Sequence, residues 1–165
     1  QRAVLGKSTQ VLGANHPDTL VSMNSLAITL GQVGEWQEAL TMNQMVLERH
    51  KQILGENHPD TLESMHNLAN TLGQVGELQE ALTMKRAVLE KRRQILGENH
   101  PDTLISMSNL ANTLRRVGEL QEALAMQRAV LEKKTQILGE NHPATLRTVS
   151  NVARTLGTAG ECQEA

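Results

Sequence analysis

The 165-residue sequence has no Phe, no Tyr, one Trp and one Cys. Without aromatic rings the core must be built from Leu, Met, Val, Ile and Ala, mostly good helix formers, so an all-α fold is expected rather than a sheet. The same lack removes the stacking platform that single-stranded nucleic acid needs. The lone thiol, Cys162, cannot close an internal disulfide, which fits a reducing compartment such as the cytoplasm. No apolar run reaches the roughly 20 residues that span a bilayer, and the polar start Gln1-Arg2 lacks the apolar stretch of a secretory signal. A strong charge of one sign is missing as well. The net charge of −2 provides no global field toward nucleic acid or an anionic membrane, so neither is expected as a partner. There is no phosphate-binding Gly loop and no zinc-ligand spacing, so no cofactor or metal is expected.

What the sequence does have is a period. Shifting it by 42 residues superimposes Leu12 on Leu54, Leu96 and Leu138 and carries most following residues along. The copies run 12–53, 54–95 and 96–137, with an incomplete fourth over 138–165. Residues 1–11 match 127–137 and form the second half of an earlier copy. Within one copy, Pro59 suits the first turn of a helix and Asp60 complements its positive end. The first helix of each copy, helix A, is therefore expected from Pro59 to about Val75, with Gly76 turning the chain as Gly34, Gly118 and Gly160 do elsewhere. The second, helix B, is expected from about Leu78 to Leu96, with Gly97 just past its end. Helix A is apolar along Leu62, Met65, Leu68, Ala69 and Leu72. Helix B is apolar over the wider arc of Ala81, Leu82, Met84, Ala87, Val88, Leu89 and Ile95. One hairpin cannot cover that surface, so stacked neighbours must, and the chain is read as a single solenoid over 1–165.

The segment "NLANTLGQVGELQEAL" (67–82) resembles the tetratricopeptide repeats through Leu68, Ala69, Leu72, Gly76, Leu78 and Ala81. The usual repeat is about 34 residues; a period of 42 with an "LG-x-NHPDT" junction is similar to the longer kinesin-light-chain-type repeats, which also occur in nucleotide-binding signalling proteins of fungi and bacteria. The resemblance covers the whole chain. It implies a right-handed superhelix of antiparallel helix hairpins whose A helices line a concave groove for extended peptides. Met23, Leu30, Met65 and Leu72 stand where the family has large rings.

Four histidines, His16, His58, His100 and His142, recur once per copy. Equivalent residues on stacked helices sit roughly 8 to 10 Å or more apart, whereas zinc ligands lie about 2.0 to 2.1 Å from one ion. The His-Pro-Asp string is therefore read as a junction in which Gly ends one helix, Asn-His bridges or caps, and Pro-Asp starts the next. Cys162 aligns with Trp36, Leu78 and Leu120 and is read as a small buried hydrophobe, not as a thiol activated by His50 or His66. No set of nucleophile, base and oxyanion donors assembles, so the chain is not expected to be an enzyme.

The copies differ mainly along one stripe of helix A. It comprises Val21, Asn24 and Ile28, then Glu63, His66 and Asn70, then Ile105, Ser108, Asn112, Arg115 and Arg116, and last Arg147, Ser150 and Arg154. Gly31, Gly73 and Gly157 share the column of Arg115. Spacings of three, seven and ten residues place the stripe opposite the buried face. The resemblance makes this stripe the peptide groove, apolar at its start, polar in the middle and basic toward its end, which favours an acidic protein or peptide partner. Asn67, Asn109 and Asn151 recur beside it, but the lysines of the family's dicarboxylate clamp are absent. Arg49-His50-Lys51, Lys91-Arg92-Arg93 and Lys133-Lys134 close each helix B and are attributed to compensation of the helix dipole. The function expected is a protein-interaction scaffold, the sensor or docking region of a larger signalling protein. The alternatives are a kinesin-light-chain-like cargo adaptor and a spacer rod that self-associates end to end, Gln1 aligning with Asn43 and Ala165 with Ala39.

Overall fold

The computed structural model describes the backbone of residues 2–163 and the side chains of residues 2–160. Every regular element among them is a helix: α1 (Arg2–Leu12), α2 (Pro17–Gln32), α3 (Trp36–Leu54), α4 (Pro59–Val75), α5 (Leu78–Leu96), α6 (Pro101–Arg116), α7 (Leu120–Leu138) and α8 (Pro143–Gln163). The all-α class and the repeated hairpin read from the sequence are what the chain adopts. It forms two compact units, Gln1–Met84 and Lys85–Ala165, and the division falls within α5. The readings for Cys162, Gln1 and Ala165 lie outside the described side chains.

The helix starts and stops follow from backbone chemistry. His16, His58 and His100 are themselves the N-caps: each Nδ1 accepts the amide of the Asp two residues on, at 3.2 Å. His142 does the same with the Ala144 amide at 3.1 Å. Pro at the first helical position withholds an N–H that would have had no partner there. Each B helix ends on a glycine in the left-handed region, such as Gly55 at φ 85° or Gly139 at φ 88°. The turn from A to B repeats as well. The amides of Glu35, Glu77 and Glu119 donate to the carbonyls of Leu30, Leu72 and Leu114 at 2.9, 3.0 and 2.9 Å, closing the turn around Gly34, Gly76 and Gly118.

Gly160 departs from the expectation. It lies inside α8, which continues to Gln163, and it is not among the positive-φ glycines. In the other copies Val33, Val75 or Val117 precedes the turn glycine, whereas here Ala159 does.

In the first unit, Leu20, Met23 and Val46 form one cluster, Leu26, Leu30 and Ala39 a second, and Leu40, Leu47, Leu68, Leu72 and Ala81 a third. In the second unit Leu104, Met107, Leu110, Ala111 and Leu114 of α6 and Ala123, Leu124 and Val130 of α7 are buried. Each fully buried Leu contributes about 1.5–3 kcal/mol, which is how a core without rings suffices. Two residues assigned to the apolar arc of helix B do not belong to it. Ala87 and Ile95 are exposed, because the wide arc was drawn from residue type, whereas only part of it meets neighbouring helices. In the last column of the variable stripe Gly31 and Gly73 are buried, Arg115 is half-buried and Gly157 is exposed. A Cβ on Gly31 would stand 2.7 Å from the Trp36 ring, so that glycine is the space the ring occupies.

Candidate functional site

In the first unit the stripe residues Val21 and Ile28 are exposed, Glu63 is exposed, and Asn24, His66 and Asn70 are half-buried. Neighbouring A helices are tied at this level, since Asn67 Nδ2 donates to Asn24 Oδ1 at 3.2 Å. One turn along α4, Asn70 Nδ2 lies 2.9 Å from His66 Nε2. Beside Val21 and Glu63 opens a cleft of about 280 Å³ with Leu20, Val21, Ile53 and Leu54 on its walls and His50, Asp60 and Ser64 at its polar end. His50, Ile53 and Leu54 were not assigned to a site from the sequence. They lie on α3, a B helix, and only the packed hairpin brings them next to the A-helix stripe.

In the second unit Ile105, Arg116, Arg147, Ser150 and Arg154 are exposed, and Ser108, Asn112 and Arg115 are half-buried. The hydroxyls of Ser108 and Ser150 bond back to the carbonyls of Leu104 and Leu146, at 2.9 and 3.2 Å, and are occupied within their own helices. Arg115 occupies the column of buried Gly31 and Gly73, so its stem leaves from the edge of the core. Desolvation first, then repulsion from Arg154 and Arg116, lowers its pKa from the usual arginine value. These three guanidinium groups therefore share one field. Arg154 is steadied by donation to Asn151 Oδ1 at 2.8 Å. Lys85, buried on α5 and donating to Thr113 Oγ1 at 2.9 Å, joins the cluster from below: burial, with repulsion from Arg116 added, takes it down to about 8. Arg147 belongs elsewhere. Its charge acts on Lys134, whose pKa is lowered by burial first and by Arg147 second.

The basic residues closing each B helix do more than offset a dipole. One column of them, His50, Arg92 and Lys134, reaches the next A helix every time. His50 Nδ1 lies 2.7 Å from Ser64 Oγ, Arg92 donates to Ser106 Oγ at 2.9 Å and to the Asp102 carbonyl at 3.3 Å, and Lys134 donates to Thr148 Oγ1 at 3.1 Å. Their neighbour Lys133 bridges to Glu98 and Asn99 at 3.1 and 2.7 Å. A 42-residue period aligned these cations in sequence; only the packing of B on the next A shows where their donors go.

Among the described residues no group of three or more His, Cys, Asp or Glu could hold a metal ion. No helix among them is long and apolar enough to cross a membrane.

A family profile described as tetratricopeptide repeat matches residues 2–52, 26–93, 70–136 and 107–165. Two crystal structures of the nearly identical TPR-like repeats of a Podosopora anserina protein named after kinesin light chain superimpose at TM-scores of 0.83 and 0.82. Each is 29% identical over 99% of this chain and 77% of that one. BtubC (BKLC) from P. vanneervenii shares the fold at a TM-score of 0.81 and 21% identity, over 99% of this chain and 65% of that one. No match is found among curated proteins.

Proposed function

Because the chain belongs to the tetratricopeptide repeat family, we propose that it is a protein-interaction scaffold that holds an extended, acidic partner segment on the variable face of its A helices, as the docking region of a larger signalling protein. The observation that carries the acidic preference is the shared field of Arg115, Arg116 and Arg154. A half-buried guanidinium repelled by two exposed ones gains most from an anionic partner, and guanidinium groups grip carboxylates through paired hydrogen bonds. A second reading, a cargo adaptor of kinesin-light-chain type, is supported by the 29% identity to the Podosopora anserina repeats.

The test is fluorescence anisotropy of labelled, unstructured peptides graded in acidity, with the chain and with a variant carrying Arg115→Glu, Arg116→Glu and Arg154→Glu. Acidic peptides are expected to bind, to weaken with salt, and to bind the variant at least about tenfold more weakly. Equal binding by neutral and acidic peptides would remove the acidic preference. No binding at all would leave the array as a spacer or assembly element.

A further inference from the structure

The cleft of the first unit has the opposite chemistry from the arginine cluster. We propose that it is a socket for one cationic side chain, arginine or lysine, of a partner segment; this deepens the scaffold reading and rests on it. Three observations converge.

The first is size and lining. At about 280 Å³ the cleft falls at or below the roughly 300–1,000 Å³ of small-molecule sites, so it suits one long side chain rather than a cofactor. Its apolar walls are left open to solvent, Val21 at 64% and Ile53 at 50% exposure. The methylene stem of Lys or Arg would cover them while its head stays at the polar end.

The second is charge. Asp60 and Glu63 line the cleft together, and the first unit as a whole carries 9 Asp and Glu against 4 Lys and Arg. His50 does not offset the two carboxylates. Burial lowers its pKa, the largest influence on it, so it is neutral at pH 7, and Asp60 and His58 are the other titratable groups acting on it. Because the Ser64 hydroxyl donates to the Asp60 carbonyl at 2.9 Å, its oxygen receives Nδ1–H from His50. That leaves Nε2 as the ring's acceptor.

The third is the chain's own use of the same corner. One copy later, Arg92 places its guanidinium against Ser106 and the Asp102 carbonyl, so a helix-A start of this kind accepts such a group. His50, standing where Arg92 and Lys134 stand, makes the equivalent contact with Ser64 at 2.7 Å but carries no guanidinium or ammonium group into the corner. Two copies later the polarity reverses, with Lys134, Ala144 and Arg147 in place of His50, Asp60 and Glu63. The cationic preference is thus a property of this copy and not of the repeat.

The experiment is an NMR titration of the uniformly ¹⁵N-labelled chain with four capped Gly-Ser peptides that differ only at one central residue: Arg, Lys, citrulline or Glu. The Arg and Lys peptides are expected to shift the amides of Val21, Ile53, Leu54 and Glu63 and to half-saturate at a concentration about tenfold below that of citrulline, which keeps the shape of Arg without its charge. In a variant carrying Asp60→Asn and Glu63→Gln, whose spectrum reports that it is folded, that tenfold preference should vanish. Citrulline matching Arg, Glu binding at the same amides, or Arg shifting only other regions would each overturn the socket. If acidic peptides bind the second unit while Arg and Lys peptides leave the cleft unchanged, this inference fails and the scaffold reading stands. If neither kind of peptide binds, both fail.

Discussion

The two units share one backbone plan and carry opposite surfaces. Both use a His cap, a Pro at the first helical position, a left-handed Gly at the turn and the same Leu and Ala columns in the core. Yet the first has 9 acidic and 4 basic residues and the second 9 acidic and 12 basic. The apolar columns of Leu30, Leu72 and Leu114 and of Ala39, Ala81 and Ala123 recur unchanged because each is enclosed within its own unit; the exposed columns answer to no such demand. If the cores are equivalent, Leu72→Ala and Leu114→Ala, at positions 2% and 0% exposed, should each cost about 2–5 kcal/mol and agree within about 1 kcal/mol of each other. Urea unfolding of the two variants measures it, and a marked inequality would show that the units are packed differently despite their common sequence.

The reading from sequence succeeded where structure is local. Pro59–Val75 and Leu78–Leu96 begin and end where Pro, Asp and Gly chemistry says they should. It fell short where a property depends on the next helix. That Thr61, Thr103 and Thr145 are fully enclosed, and that His50, Arg92 and Lys134 reach across to Ser64, Ser106 and Thr148, are facts of packing between segments, the latter about 14 residues apart. The continuation of α8 through Gly160 belongs here too, since a glycine permits a turn without imposing one. Of the candidate site, the variable stripe was visible as differences between copies. The cleft was not, because His50, Ile53 and Leu54 of its lining come from a B helix.

A glycine column shows the same contrast at smaller cost. Gly31 and Gly157 are equivalent positions, both helical, and Ala is ordinarily favoured over Gly in a helix by about 1 kcal/mol. Around Gly157 nothing lies within 4 Å of an added Cβ, so Gly157→Ala should stabilise by about 0.5–1 kcal/mol. At Gly31 the Trp36 ring lies 2.7 Å from the added carbon, and the ring or the helix must move, so Gly31→Ala should destabilise by about 1–3 kcal/mol. Thermal melts monitored by Trp fluorescence and circular dichroism would separate the two. A gain at both positions would mean that the ring moves aside freely.

The units should also answer to pH from opposite sides. His50 in the first has a folded pKa below its unfolded value, because burial disfavours the imidazolium. Between the folded value and about 6.5 the unfolded chain therefore holds more protons, so stability is complete above that window and falls as the pH drops through it. Lys85 in the second follows the same rule in the alkaline range: lowered to about 8 by burial and by Arg116, it makes stability rise with pH from about 8 toward the ordinary lysine value of 10.5. His50→Gln should flatten the acid limb of a plot of urea midpoint against pH and leave the alkaline limb in place, and Lys85→Met should do the reverse. The acid limb thus belongs to the acidic unit, where protonating His50 sets a cation beside the cleft that Asp60 and Glu63 line.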